Sequence, residues 1–396
     1  MTHPATHLPA LWKLAFALLI AYGVFMLGGY TWFVASHDKL FGGDYITFYT
    51  RAVALWHGAG GAYIYDLAAV QATLDMPFGA QQEPVLTFPY PPHFLLLLLP
   101  FGAVGYDASV ALWLVLTGAL YCYAIFTSSL WRSMVVAHRP YRAVLVALVL
   151  LSPFAVANIM PGQNGFLTAG LAILGLGRLR QNPLLAGLCF GILTIKPQLG
   201  VMIAVALLAG RHWKCIFTAS LVALAMVAAT TLWLGTGIWG EWLAYTDLFM
   251  QMQKHQPQII ATLNVSLYRA LVGHGVPEML AGVLQAGCFA LAAWAVWRAT
   301  RMPELPHALW MSIIITGAII SVPHVLAYDL TVLVIPVLYL IQLLFSGTAD
   351  RTQKMALVAL LVSVVLAYLF RGWPAAFAAL LMAFVFLLRG WAWKKG

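Results

Sequence analysis

Charge is scarce in this sequence. Only 8% of its 396 residues are Asp, Glu, Lys or Arg, and 12 are acidic. Soluble domains carry about 25% charged residues, so the low charge, a hydrophobic content of 63% and a mean hydropathy of +0.89 exclude a soluble globular protein. The net charge of +9 does not indicate a nucleic-acid partner, because the cations lie in short turns between apolar runs.

Cysteine is scarce as well. The four cysteines, Cys122, Cys189, Cys215 and Cys288, lie inside or beside apolar segments and lack the spacing of zinc ligands. The sequence therefore predicts neither a disulfide framework nor a zinc site.

Long apolar segments are what the chain has instead, and many are near the length that crosses a bilayer. They predict an all-α, polytopic membrane protein: one integral membrane domain over residues 1–396 with about 12 transmembrane helices. The first run, residues 11–34, is too long for a cleaved signal peptide and predicts a retained helix. Residues 95–99 are too few to span. Residues 184–209 contain Lys196-Pro197 at their middle, which predicts two short helices meeting there.

Basic residues collect in six turns, which the positive-inside rule assigns to the cytoplasm together with both termini. These turns are Arg132, Arg139 and Arg142; Arg178 and Arg180; Arg211 and Lys214; Arg298 and Arg301; Arg351 and Lys354; and Arg389, Lys394 and Lys395. The polar segments between them are then extracytoplasmic.

The longest of these outer segments, residues 35–93, holds Asp38, Asp44, Asp66, Asp75 and Glu83. A loop of this length is usually functional. Residues 45–57 predict a helix along the membrane interface, with Asp44 near its N-terminus and Tyr49 and Trp56 as anchors. A second outer loop, residues 235–264, carries His255. Asp329 is expected either to pair with a cation or to lie at a helix start.

Several short motifs follow one another along the chain in a characteristic order. They are Gly-Gly-Asp-Tyr at 42–45 with Phe-Tyr-Thr-Arg-Ala at 48–52, Tyr63 to Asp66, Phe-Pro-Tyr-Pro-Pro at 88–92, Gly-Gln-Asn at 162–164, Ala186-Gly187 leading to Lys-Pro-Gln at 196–198, Asn-Val-Ser at 264–266, and Ser321 to His324. Together they resemble glycosyltransferase family 87, integral membrane enzymes of the GT-C superfamily that use polyprenyl-phosphate sugars and are typified by α-mannosyltransferases.

The resemblance implies a hexosyltransferase of GT-C type, with mannose the expected sugar and a lipid-linked or glycan acceptor. It also implies a bacterial inner membrane location with the active site facing the periplasm or cell exterior. No cofactor or metal is expected, because this chain lacks the close acidic pairs of metal-dependent relatives. Sugar or acceptor contacts are expected from Tyr49, Tyr90, Gln163, Asn164, Gln198, His255 and Asn264.

Chemistry at the outer face agrees with these expectations. Nucleotide sugars are absent there, so a lipid must carry the donor sugar. Its phosphate leaves as a stable anion, and one base therefore replaces the two carboxylates of glycoside hydrolysis. Asp44 is the predicted base, and Lys196, His324 and Arg51 are the predicted phosphate-binding residues.

Other interpretations stay open. Asp44 is alternatively a helix cap or loop acid, Gln163 and Asn164 alternatively cap the helix that begins near Gly165, and Lys196 alternatively extends towards the interface. A lipid-linked sugar transporter is disfavoured because no internal repeat is visible. A glycan ligase on a related scaffold is disfavoured because its large outer loop usually lies late in the chain.

Overall fold

The computed structural model describes residues 9–37, 39–66, 68–69, 88–255, 264–369 and 374–392. It is 83% helical, which confirms the all-α prediction, and the described residues contain no strand beyond one bridge between Asn264 and Leu326. The α-helices are α1 (Ala10–Ser36), α2 (Ile46–Trp56), α3 (Gly61–Tyr65), α4 (Leu95–Leu98), α5 (Tyr106–Phe126), α6 (Ser129–Ala137), α7 (Arg142–Leu151), α8 (Pro153–Ile159), α9 (Gly165–Arg178), α10 (Pro183–Ile192), α11 (Pro197–Ala209), α12 (Trp213–Leu234), α13 (Gly237–His255), α14 (Leu267–Gly273), α15 (Glu278–Thr300), α16 (His307–Ser321), α17 (Val334–Phe345), α18 (Arg351–Leu369) and α19 (Pro374–Ala392). Six 3₁₀ helices complete the described part: Gly43–Tyr45, Pro92–Phe94, Leu99–Ala103, Arg139–Tyr141, Leu193–Ile195 and Ala327–Leu333.

Five described segments are long and apolar enough to cross a membrane: α1, α5, α12, α15 and Ala327–Phe345. The bent pair Ser129–Ala137 and Arg139–Leu151, with 109° between its halves, would make a sixth. The chain is thus a multi-pass membrane protein, but the predicted 12 crossings are not confirmed. Further apolar helices of 10–17 residues are present, shorter than the roughly 20 residues that a span requires.

Helix α16 lies at the centre of the bundle. Every residue from Leu309 to Ser321 is buried, and the helix packs against α11, α15, α17 and α19. The outer helices α1, α12 and α15 instead leave large apolar side chains exposed, as expected for surfaces that face lipid. Polar groups near α16 are consequently shielded from lipid by protein.

The predicted break at Lys196-Pro197 is confirmed. Helix α10 continues as a 3₁₀ turn to Ile195, Lys196 adopts non-helical dihedrals (φ −137°, ψ 69°), and α11 begins at Pro197. Proline favours the first position of a helix and disfavours helical dihedrals in the residue before it. The break places the Lys196 side chain inside the protein, where it is buried, rather than at the interface.

The predicted first outer segment contains the predicted helix, which is α2, and Trp56 is half-exposed at its end (52%). Tyr49, the second predicted anchor, is partly exposed, and whether it lies at the interface stays a prediction. Its hydroxyl donates to the Val104 carbonyl (3.2 Å), and its ring packs edge-on against Tyr106. Most of the predicted second outer loop is helix α13. Asp38, Asp75 and Glu83 lie outside the described residues.

Candidate active site

Asp44 lies in a tight turn that two neighbouring segments hold in place. Gly42 adopts a positive φ of 74°, and a Cβ there would come within 2.8 Å of the Val110 side chain, so only glycine fits. The Tyr30 hydroxyl accepts hydrogen bonds from the backbone N–H groups of Gly42 and Gly43 (3.1 and 3.3 Å). The Tyr45 N–H donates to the Pro161 carbonyl (3.0 Å). The turn is therefore fixed before any substrate binds.

Among the described residues, one polar side chain is hydrogen-bonded to the Asp44 carboxylate. Gln163 Nε2 donates to Asp44 Oδ2 at 3.0 Å. Burial raises the pKa of Asp44 above its usual value, and the hydrogen bond from Gln163 partly opposes this. A carboxylate with a raised pKa accepts a proton more readily at neutral pH, as a general base requires.

An aromatic cluster supports the turn from the α2 side. The Phe48 ring lies 5.4–5.7 Å from the rings of Tyr90, Phe94 and Trp113. The Trp113 indole N–H donates to the Gln163 carbonyl (3.2 Å). Through Trp113, the cluster therefore contacts both α2 and the segment that carries Gln163.

Gln163 and Asn164 make contacts that the sequence does not reveal. The Asn164 side chain does not cap α9; Asn158 Oδ1 accepts from the Phe166 N–H there (3.2 Å). Asn164 Oδ1 instead accepts from Lys196 Nζ (3.4 Å). The Asn164 side chain is therefore not the cap of α9. Contacts of Gln163 and Asn164 with a sugar stay predictions.

Lys196 forms a buried ion pair with Asp329. Lys196 Nζ lies 2.5 Å from Asp329 Oδ1, and the two side chains are only 5% and 1% exposed. Asp329 Oδ2 accepts from the Leu326 N–H (3.0 Å), so both alternatives expected for Asp329 are confirmed. The ammonium also lies 4.5 Å from the centre of the Tyr328 ring, and the Tyr328 hydroxyl lies 3.4 Å from that of Tyr90.

Replacing Lys196 alone is expected to destabilise the fold. Lys196→Met leaves the Asp329 carboxylate buried without a counter-ion, which costs about 3–5 kcal/mol. Adding Asp329→Leu removes the second charge and should restore most of the loss. Chemical denaturation in detergent measures both variants. If the single and double variants prove equally stable, the pair does not contribute as described.

Arg51 is the most deeply buried cation in the described part of the chain. Nη1 donates to the Thr47 carbonyl (3.0 Å), and the guanidinium lies 4.7 Å from the centre of the Phe88 ring. Its Nε and Nη2 have no hydrogen-bond partner among the described residues. Burial lowers the pKa of Arg51 to about 10, so it stays charged at neutral pH. A buried charge with unused donors is unfavourable unless an anion joins it.

His324 is held by a second cation that the motif pattern did not single out. Arg269 Nε lies 3.4 Å from His324 Nδ1, and Arg269 Nη2 lies 3.3 Å from Nε2. Burial, with the charge of Arg269, lowers the pKa of His324 to about 4. His324 is consequently neutral at pH 7, so its imidazole can take part in hydrogen bonds but carries no charge.

The remaining predicted site residues are Asn264, Gln198 and His255. Asn264 Oδ1 accepts from the Val325 N–H (3.0 Å), and Ser266 Oγ donates to the Pro323 carbonyl (2.5 Å). The Asn-Val-Ser motif thus fastens the segment that carries His324. Gln198 is partly buried in the first turn of α11, and His255 ends α13, with its side chain outside the described part.

The structure therefore joins part of the predicted site into one connected group: Asp44, Gln163, Asn164, Lys196 and, beside the ammonium, Tyr90. Tyr49 is directed to Val104 instead. Asp329 and Arg269 were missing from the predicted site. The sequence does contain one indication for Asp329: it is an acid within an apolar run, and such an acid usually pairs with a buried cation. In the described residues no three His, Cys, Asp or Glu side chains are grouped so that they could hold a metal ion.

Comparison with known proteins gives one match. The family model described as glycosyltransferase family 87 matches residues 88–326. No curated protein and no solved structure matches the chain. The matched range contains Gln163, Asn164, Lys196 and His324. Asp44 and Arg51 precede it.

Proposed function

The chain belongs to glycosyltransferase family 87, and from this premise we propose which transfer it catalyses. A single hexose, with mannose the expected sugar, moves from a polyprenyl-phosphate donor to a lipid-linked or glycan acceptor. The reaction takes place at the extracytoplasmic face of a bacterial inner membrane, inverts the anomeric centre and needs no metal or cofactor. The observation that carries this proposal is the prearranged Asp44 carboxylate, whose pKa burial raises.

Asp44 acts as the base in the proposed step. Its carboxylate takes the proton of the acceptor hydroxyl while the acceptor oxygen forms a bond to the anomeric carbon. The bond from that carbon to the phosphate oxygen breaks, and the polyprenyl phosphate leaves with the electron pair. This leaving group is already a stable anion, so no acid is needed to protonate it. Direct displacement on a β-linked donor gives an α-linked product.

Arg51 is the best-suited of the three predicted phosphate-binding residues. Asp329 already neutralises Lys196, and His324 is neutral at pH 7. Arg51 keeps its charge and has two unused donor atoms. It follows Asp44 by seven residues, two helical turns or about 10 Å along the axis. In the proposed complex the hexose ring lies between the base and the phosphate, across this separation.

The experiment that tests the function is release of free polyprenyl phosphate by the purified protein. A panel of polyprenyl-phosphate sugars is supplied with and without candidate acceptors, in the presence of a metal chelator. We expect acceptor-dependent release from one donor and an α-linked product from a β-linked donor. A β-linked product would exclude single displacement, and metal-reversible loss of turnover in chelator would exclude a metal-independent reaction. Donor binding without release from any donor would favour a transporter or a ligase.

A further inference from the structure

Asp44 and Asp329 are linked through the adjacent residues Gln163 and Asn164, which make polar contacts on either side. Asp44 Oδ2 accepts from Gln163 Nε2 (3.0 Å), and the neighbouring residue Asn164 accepts from Lys196 Nζ (3.4 Å). Lys196 in turn is paired with Asp329 (2.5 Å). Two acids that are far apart in sequence therefore contact opposite ends of the dipeptide Gln163-Asn164, one of them through Lys196.

The backbone around this dipeptide leaves little freedom. Gly162 adopts a positive φ of 67°, and a Cβ there would lie 2.7 Å from the Tyr45 Cβ and 3.3 Å from the Gly42 Cα. At Gly165 a Cβ would lie 2.7 Å from Asn158 Oδ1 and would also overlap the Tyr328 carbonyl. The segment is thus packed between the Asp44 turn and the 3₁₀ helix that carries Asp329. A shift on one side must displace the other.

The charges of the pair suit it to a positioning role. Lys196 and Asp329 together carry no net charge, and both are almost fully buried. Asp329 uses its second oxygen to hold the Leu326 N–H, so it is fixed to the backbone as well. An arriving phosphate would have to compete with a carboxylate already in contact with the ammonium.

We propose that Asp329, acting through Lys196 and Asn164, is a positioning residue that holds Gln163 against the carboxylate of Asp44. The proposal rests on the proposed function in that Asp44 is the base. Without the pair, the 163–164 segment relaxes and the hydrogen bond to Asp44 is lost. No contact between Asp329 and the substrate is required.

The hydrogen bond from Gln163 has a definite effect on the acidity of Asp44. An N–H donor stabilises the carboxylate, so its loss raises the pKa of Asp44 further. The titratable groups that face Asp44 from neighbouring elements are the phenols of Tyr30, Tyr106 and Tyr328. These phenols are neutral at pH 7, so Asp44 accounts for the acid limb of the pH–rate profile, and that limb moves to higher pH.

Asp329→Asn tests the proposal, because the amide keeps the size of the side chain and an acceptor for Leu326. We expect kcat to fall about 10–100-fold, the loss typical of a slightly misplaced catalytic group, with the KM for donor changed less than about threefold. The acid limb of kcat should move to higher pH. Asp350→Asn is the matched control, since Asp350 also caps a helix start, accepting from the Gln353 N–H (2.8 Å), and it should behave as wild type.

A direct readout separates this proposal from the proposed function. The carboxyl band of Asp44, identified by its absence in Asp44→Asn, is titrated by infrared difference spectroscopy in both backgrounds. A raised pKa in Asp329→Asn supports the coupling even if no donor is turned over. An unchanged pKa overturns it, as does a rise in the KM for donor with kcat intact, which would make Lys196 a phosphate ligand. If Asp329→Asn does not fold, Asn164→Ala interrupts the same series and gives the same readouts.

Discussion

Asp44→Asn is expected to lower kcat by about 10²–10⁴-fold, the usual contribution of a general base. The amide has the same shape and still accepts a hydrogen bond from Gln163, so the turn should stay intact. What is lost is the ability to take a proton from the acceptor hydroxyl. Single-turnover release of polyprenyl phosphate measures the rate, and equilibrium donor binding should change little.

The control for Asp44 is Asp66→Asn. Asp66 lies in the same predicted outer segment but is exposed, and its carboxylate accepts from the backbone N–H groups of Ala68 and Ala69 (2.9 and 3.2 Å). This substitution should leave the rate within about threefold of wild type. An Asp44→Asn protein of near-normal rate would show instead that Asp44 only caps the start of α2.

Arg51→Met is expected to change stability and activity in opposite directions. An unsatisfied buried polar group costs about 1–3 kcal/mol, and Nε and Nη2 of Arg51 are both without a partner. Methionine is of similar length and apolar, so the free energy of unfolding should rise by about that amount. The KM for donor should rise about 10–100-fold, because a charged hydrogen bond to phosphate is lost.

Such opposite effects are typical of a residue kept for function at the expense of stability. Denaturation in detergent and donor titration are performed on the same preparation. Arg298→Met serves as the control for loss of a positive charge, since Arg298 lies exposed over the Trp294 ring (5.8 Å). It should alter neither quantity appreciably. A destabilised Arg51→Met protein with an unchanged KM for donor would make Arg51 a structural residue.

Several features of the fold were predictable because they depend on local sequence. Pro197 ends one helix and starts the next, which made the break at Lys196 readable. Gly42 and Gly43 precede a run with helical character, and α2 follows as predicted. The predicted number of about 12 crossings is not confirmed, because several apolar segments that give a strong hydropathy signal form helices of only 10–17 residues in the described part of the chain.

The contacts of the candidate site were less accessible from the sequence. Lys196 and Asp329 are 133 residues apart. The residues around Asp329 in the sequence do not indicate which cation will pair with it. Helix capping was one of two roles that the sequence allowed for Asn164, beside a sugar or acceptor contact, but its contact with Lys196 arises only from tertiary packing. Arg269 lies on the short helix α14, three residues after the Asn-Val-Ser motif, and it reaches His324 only in the folded chain.

The sequence by itself determined the class of protein, the family and the candidates Asp44, Lys196, His324 and Arg51. These follow from composition and from short motifs in a fixed order, neither of which requires coordinates. The tertiary structure decided their electrostatic state. Lys196 is paired, His324 is neutral, and Arg51 is charged with unused donors. Charge in a buried site depends on desolvation and on the partners within a few ångströms, and both are set only when distant segments pack together.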